Sequence, residues 1–318
     1  MPHLLQVCNV GRIVGGTAAC AWTIKRAFPD CEHTVLFFNR ITKDTATAFS
    51  DCEIRQCSAI RPQDVRDIAP DLIILHNSST ARVPTKLPVP TVVYLHSKIR
   101  PAVGDLQVAC SHWLAERYAD SITEVLYQPV PRPVLEGHQP RNLGTTPLTV
   151  GRICTPTSQK WPAELVPFYS RLAADHSDIR WEFVGCPTNL QPALITACNG
   201  RAIFHNATWQ ARQLFCHWNL FLYHHPTLAE SFGRTVAEAM RSGCIPIVDN
   251  RGGFKEQITR ESGCLCNSTD DFSRALSRLR NSEMRSAMSQ ACQQHADSTF
   301  SLATFRQNLL TLLRYNPI

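Results

Sequence analysis

The sequence predicts an α/β protein of two doubly wound domains, each a parallel sheet with helices on both faces. Three observations predict it. Short apolar runs alternate with helix-like stretches from end to end, the pattern of parallel strands joined by helical crossovers. A proline-rich break, Gln128-Pro-Val-Pro-Arg-Pro and on through Pro140 to Pro147, interrupts the alternation once, and prolines at that density end any helix or central strand. The length, 318 residues, corresponds to about two domains.

Before the break, His3–Cys8, His33–Phe38, Leu72–Leu75, Thr91–Leu95, Leu106–Ala109 and Glu124–Tyr127 read as buried strands bounded by Gly, Pro, Asn and Asp. Thr17–Ala27 and Ser111–Ala119 read as helices, the second with Ser111 as its N-cap. After it, Leu148–Gly151, Arg180–Val184, Arg201–Phe204, Asn219–Tyr223 and Ile245–Val248 read as strands. Glu164–Ala174, Thr208–Cys216, Glu230–Arg241, Thr269–Leu279, Ser282–His295 and Ser301–Arg314 read as helices. The expected boundaries are a first domain over 1–131, a linker over 132–146, a second domain over 147–300 and a closing helix over 301–318. Two such domains in tandem place a ligand cleft at the carboxyl ends of their strands.

Composition narrows the function. Charged residues make up 18% and hydrophobic ones 44%, which excludes a disordered chain and a coiled coil. The longest apolar runs fall far short of the roughly 20 residues of a membrane span, and Met1–Val10 lacks the basic start and apolar stretch of a secretory signal. A cytoplasmic location is expected, at most at the inner face of a membrane. The net charge of +6 is mild and there is no run of three or more consecutive basic residues, so a nucleic-acid partner is not expected. That balance suits an anionic small ligand and permits a weak peripheral membrane contact. Fourteen cysteines occur without a single C-x-x-C pair; Cys264-x-Cys266 and Cys52-x4-Cys57 come nearest. Free thiols packed as small hydrophobes are expected, and no structural zinc.

Chemistry concentrates in three blocks. The first runs His224-His-Pro-Thr-Leu-Ala-Glu230-Ser-Phe-Gly-Arg-Thr-Val-Ala-Glu238-Ala-Met-Arg-Ser-Gly243-Cys-Ile-Pro246-Ile-Val-Asp249-Asn-Arg-Gly252-Gly253-Phe-Lys-Glu256. A strand ends at Tyr223, Glu230 and Ser231 stand at the mouth of a helix, and Gly233 admits a ligand to that helix's first turn, whose free N–H groups suit a phosphate. The second block is Thr149-Val-Gly151-Arg152-Ile-Cys-Thr-Pro-Thr-Ser-Gln-Lys160-Trp161, with an arginine fork and a lysine point charge after a strand. The third is Val10-Gly-Arg-Ile-Val-Gly15-Gly16-Thr17, a glycine turn that is not a G-x-G-x-x-G. His76 and His96 each close a strand. There is no Asp-x-Asp pair.

With its paired glutamates Glu230 and Glu238 set among Ser-Phe-Gly, Ala-Met-x-x-Gly-x-x-Pro and Gly-Gly-x-x-Glu, the sequence resembles the retaining glycosyltransferases of family 4, glycosyl transferases group 1. The resemblance implies the GT-B fold, two Rossmann-like domains facing across a cleft. The first would take the acceptor and the second the nucleotide sugar, with the last helix returning to the first. It implies a hexosyltransferase-type enzyme of glycan or glycoconjugate biosynthesis. The partners are a nucleotide-diphosphate sugar and a glycan, lipid-linked or protein acceptor. Glu230 would contact the sugar hydroxyls and stabilise an oxocarbenium-like transition state, and Glu238 would accept hydrogen bonds from the ribose. Arg152 and Lys160 would hold the diphosphate. His96 would contact donor sugar or acceptor, and His76 is a further candidate. Ser231, Phe232, Gly233, Gly252 and Gly253 would line the donor site, and Gly15 and Gly16 would face its phosphates. No cofactor and no metal are expected, the cations replacing a metal.

Two alternatives share the fold: an inactive scaffold or binding protein, and a nucleotide-sugar epimerase-like enzyme. A dinucleotide-dependent oxidoreductase is disfavoured by the missing G-x-G-x-x-G.

Overall fold

A computed structural model describes residues 1–118, 122–134 and 147–316. Most of the segment expected as a linker, including Pro140, lies outside the described residues, as does Ala119. The chain divides into two compact units, Met1–Val130 with Thr299–Ile318, and Pro131–Ser298.

The first unit begins with β1 (His3–Cys8), α1 (Gly16–Ala27), β2 (Glu32–Phe37), α2 (Lys43–Ala48), β3 (Glu53–Gln56) and α3 (Pro62–Ile68). It continues with β4 (Leu72–His76), β5 (Thr91–Leu95), β6 (Leu106–Ala109), α4 (His112–Ala115) and the short β7 (Glu124–Val125). The sheet order is β3-β2-β1-β4-β5-β6-β7, all parallel, with Leu5 set between Thr34 and Ile73. The chain runs outward from β1 to β3, then crosses back to β4, so the switch point of the sheet lies between β1 and β4. The central strands are buried and mostly apolar because both faces are covered, with the polar Gln6 set inside β1. The edge strand β3, Glu-Ile-Arg-Gln, exposes three of its four residues. Ser111 caps α4 by accepting the N–H of Leu114 at 3.0 Å.

The second unit comprises β8 (Thr149–Ile153), α5 (Leu165–Asp175), β9 (Arg180–Val184), α6 (Gln191–Ala197), β10 (Ala202–His205) and a 3-10 helix at Trp209–Cys216. Then come β11 (Leu220–Tyr223), α7 (Arg234–Arg241), β12 (Ile245–Asp249), α8 (Phe254–Gln257), β13 (Cys264–Cys266), α9 (Thr269–Arg278) and α10 (Ser282–Phe300), the last two residues of which are counted with the first unit. Its parallel sheet has the order β10-β9-β8-β11-β12-β13. Trp161, Phe168, Tyr169, Trp181 and Phe183 meet edge to face on one side of it, with ring centroids 4.9–6.0 Å apart.

The last helix, α11 (Leu302–Tyr315), belongs to the first unit. Ser301 caps it, and its Arg306 donates a fork of two hydrogen bonds to Asp30 at 2.6 and 2.7 Å. Phe305 is buried near the ring of Tyr94.

Three helices differ from their expected form. Ser111–Ala119 is α-helical only over His112–Ala115 and continues as a 3-10 helix over Glu116–Tyr118. Thr208–Cys216 contains a 3-10 helix rather than an α-helix. The helix expected from Glu230 begins at Arg234, because Gly233 takes a left-handed φ of 84° and no α-helix passes through such a residue. Glu230 therefore sits in a loop. All fourteen cysteines are free thiols. No helix among the described residues is long and apolar enough to cross a membrane.

Candidate active site

In the second unit the loops after β8 and β11 bring Lys160 and Glu230 together. These strands are neighbours in the sheet, so their carboxyl ends lie side by side. The Lys160 ammonium pairs with Oε1 of Glu230. The Tyr223 hydroxyl donates to the same oxygen at 2.6 Å. Tyr223 is buried, and burial pushes its pKa far above the ordinary tyrosine value, so the hydroxyl keeps its proton and serves as a donor. Lys160 and Glu230 retain 24% and 22% of their side-chain exposure, which leaves the pair open to a ligand.

Arg152 takes a different position from the one its sequence block implied. It is fully buried. Its guanidinium lies between the rings of Trp161 and Tyr223, 4.9 and 4.6 Å from their centroids. It donates to the backbone carbonyls of His224 at 2.8 Å and Lys160 at 2.9 Å. In this arrangement the accessible cation of the block is Lys160, and Arg152 braces the two loops from behind.

Two histidines complete that brace. The His225 Nδ1 accepts the N–H groups of Thr227 and Leu228, so its Nε2 carries the proton and donates to the Gln159 carbonyl at 2.8 Å. His224 donates from Nδ1 to Asp249 at 2.7 Å and stacks on Phe168 with ring centroids 4.2 Å apart. Asp249, at the end of β12, also accepts the His225 N–H at 2.7 Å. Neither histidine nor Tyr223 stood out in the sequence reading. The available signal was their position at the end of a buried strand beside the glutamate block.

Glu238 is buried in α7. Its carboxylate is held by Arg212 at 3.1 Å and Arg234 at 3.5 Å, one on each oxygen. Arg212 reaches it from the 3-10 helix, with its guanidinium over the Trp209 ring at 3.8 Å. The i,i+4 spacing of Arg234 and Glu238 was visible in the sequence, but Arg212 was not.

The glycines pack tightly against the site's own backbone and side chains. A Cβ on Gly233 would lie 2.2 Å from the Phe254 ring. On Gly252 and Gly253 it would lie 2.4 and 2.3 Å from the carbonyls of Glu230 and Ser231. The Gly253 N–H donates to the Glu230 carbonyl at 2.8 Å. The turn thus holds the backbone of the glutamate from below. Phe232 is buried, and its carbonyl accepts from Gln257.

Gly15, Gly16 and His96 belong to the first unit. Gly15 closes a turn by donating to the Arg12 carbonyl at 2.9 Å, and Gly16 opens α1. His96 lies in a hydrogen-bonded chain whose protons can be placed from one anchor. Gln6 Nε2 donates to the Ala21 carbonyl at 3.1 Å, so its Oε1 faces His76 Nε2 at 2.9 Å and accepts. His76 Nδ1 is then bare and accepts from His96 Nε2 at 3.0 Å. His96 Nδ1 in turn accepts from Gln128 at 2.8 Å. The two rings are coplanar within 7°. Both ring nitrogens of His96 are therefore engaged, and neither is left for a sugar hydroxyl in this arrangement. Burial pushes the His76 pKa down to about 3. Cys20, His76 and His96 form the one trio of possible metal-ligating atoms within 4.8 Å among the described residues. Its two imidazoles meet head-on in the N–H···N bond.

Residues 144–282 match the family model of glycosyl transferases group 1. The solved structure of Anabaena HepE in complex with UDP-glucose shares 16% identity, covering 99% of this chain and 100% of that one, with a TM-score of 0.76. A glycosyltransferase from Rickettsia africae shares 13% identity over 99% and 98% of the two chains, with a TM-score of 0.78. Sucrose-phosphate synthase from Thermosynechococcus elongatus shares 13% over 99% of both chains, with a TM-score of 0.73. These likenesses show the GT-B fold. Sequence comparison with curated proteins finds no match.

Proposed function

We propose that this chain is a retaining, metal-independent glycosyltransferase that moves a sugar from a nucleotide-diphosphate donor to a hydroxyl acceptor. The observation that carries the reading is the Lys160–Glu230–Tyr223 cluster at the carboxyl edge of a parallel sheet, where open α/β sheets bind their ligands. The family match over the second unit and the UDP and UDP-glucose bound by HepE support a nucleotide-sugar donor, with UDP-glucose as the first candidate.

In this reading the donor's diphosphate draws Lys160 away from Glu230, exchanging one anionic partner for another. Lys160 then stabilises the leaving diphosphate as its charge develops. Glu230, still held by Tyr223, faces the positive charge that grows at the anomeric carbon. The bond from that carbon to the leaving phosphate oxygen breaks, the acceptor oxygen bonds on the same face, and the leaving oxygen takes the acceptor's proton. Same-face attack preserves the anomeric configuration. Glu238, oriented by two arginines, accepts hydrogen bonds from the ribose. The first unit takes the acceptor.

Thermal shift with a panel of nucleoside diphosphates and nucleotide sugars, with and without EDTA, tests the donor half. One nucleotide sugar should raise the melting temperature selectively, by mass action, and EDTA should leave that shift unchanged. No shift from any of them would overturn the reading in favour of a scaffold. Anomeric NMR of the product tests retention, and an inverted product would refute it.

A further inference from the structure

Two loops of the first unit, Val10–Arg12 after β1 and Asn39–Lys43 after β2, line a cavity of about 520 Å3. That volume is in the range of small-molecule sites. The lining carries three cations, Arg12, Arg40 and Lys43, and no acid. Asp44, the next residue along, is exposed and outside the lining. The ion pairs of the first unit among the described residues are Lys25–Asp51, Arg55–Glu53, Lys86–Asp105 and Arg306–Asp30, none of which uses these three cations. Like charges gathered without counter-charges repel one another, and an anion relieves that repulsion.

The loops are also fastened to each other. The Gly11 carbonyl accepts the Thr42 N–H at 3.1 Å and the Thr45 hydroxyl at 2.8 Å. The Thr45 Oγ1 in turn accepts the Ile13 N–H at 2.8 Å. The Asn39 amide donates to the Asn9 carbonyl at 2.6 Å. The frame is therefore built before any ligand arrives, and it stands at the carboxyl edge of β1, one strand from the sheet's switch point.

We propose that this cavity receives the phosphate group of a phosphorylated acceptor. Two arginine forks and a lysine match the charge of about −2 and the several oxygens of a phosphate monoester. Calling the ligand an acceptor rests on the transferase reading above. The phosphate site itself rests on the cavity.

Isothermal titration of the full chain with inorganic phosphate, at constant ionic strength and with UDP saturating the donor site, tests it. Phosphate should bind the wild type, and Arg12→Gln/Arg40→Gln should weaken it at least tenfold. All three cations are exposed, and Lys43→Gln alone gives a smaller loss of the same kind should the double variant not fold. Wild-type affinity in the variants, or no binding to the wild type, overturns the proposal. A UDP that fails to bind while phosphate binds and is lost in the variants would instead refute the transferase reading and leave the phosphate site standing. Two further arms identify the source. Displacement of phosphate by glucose 6-phosphate marks a soluble sugar phosphate. Sedimentation with phosphatidylcholine vesicles containing phosphatidic acid, and not with phosphatidylcholine alone, marks a lipid headgroup. Failure of both overturns the acceptor assignment.

Discussion

Arg152 and Lys160 are joined through the main chain: the buried guanidinium donates to the lysine's own carbonyl at 2.9 Å, while the lysine's ammonium reaches Glu230. One cation thus aims another. Replacing Arg152 with lysine keeps the charge and removes the fork, so at least one of the carbonyls of His224 and Lys160 loses its partner. An unsatisfied buried group costs about 1–3 kcal/mol. Arg152→Lys should lower stability by that order in urea unfolding. It should also raise the KM for the donor more than it lowers kcat, since Lys160 is displaced rather than deleted. A variant with wild-type stability and wild-type KM would show that the brace is unimportant.

Glu230→Gln keeps the shape of the side chain and removes its charge. Donor hydrolysis or transfer should fall by at least a hundredfold, while nucleotide affinity holds or rises because Lys160 loses its internal partner. Turnover within twofold of the wild type would remove Glu230 from the chemistry.

Gly233 and Gly200 both have left-handed φ, 84° and 75°, but only Gly233 faces a filled space. Alanine at Gly200 should cost about 1 kcal/mol for the backbone alone. Alanine at Gly233 should cost more than about 2 kcal/mol, because overpacking against Phe254 adds to the backbone strain. Parallel urea titrations of the two variants give the difference. Equal losses would mean that Phe254 moves aside freely.

His76 should make the first unit sensitive to acid. Its folded pKa is pushed down to about 3, against an unfolded value near 6.5. The unfolded chain therefore binds a proton that the folded one refuses, and stability falls as pH drops from about 6.5 towards 3. The slope is about 1.4 kcal/mol per pH unit for one such group, or roughly 2 kcal/mol between pH 6.5 and pH 5. His33, whose pKa burial also lowers, adds in the same direction. Unfolding followed at pH 7.5 and pH 5 should show this loss, and His76→Gln should remove much of it. An unchanged pH dependence in the variant would mean that His76 takes a proton in the folded state.

The central strands were legible because nothing but burial decides them. His3–Cys8, Thr91–Leu95, Leu106–Ala109 and Arg180–Val184 occur as read, each flanked by turn residues. Elements at the margins were not read. The edge strand β3 carries no apolar run, β13 has three residues, and α2, α3, α6 and α8 have seven residues or fewer, too short for periodicity to register. The start of α7 was misplaced because a helical pattern says nothing of the φ at Gly233. In the site, residue types and their order in the chain were visible. Burial and partners were not, since Arg152 meets Trp161, Tyr223 and His224 only through the sheet. The engagement of His96 likewise depends on Gln6, some ninety positions away.

The place of α11 has a consequence for how the protein is made. Phe305 and Leu309 are buried in the unit that starts at Met1, and Arg306 is pinned to Asp30. Each of those apolar side chains contributes about 1.5–3 kcal/mol when buried. A ribosome that has translated as far as Val130 has released most of a sheet but not the helix that covers part of α1. The whole of 131–298 must emerge first. The unit begun earliest is finished last, and until then the nascent chain carries an unsealed surface for a chaperone to guard.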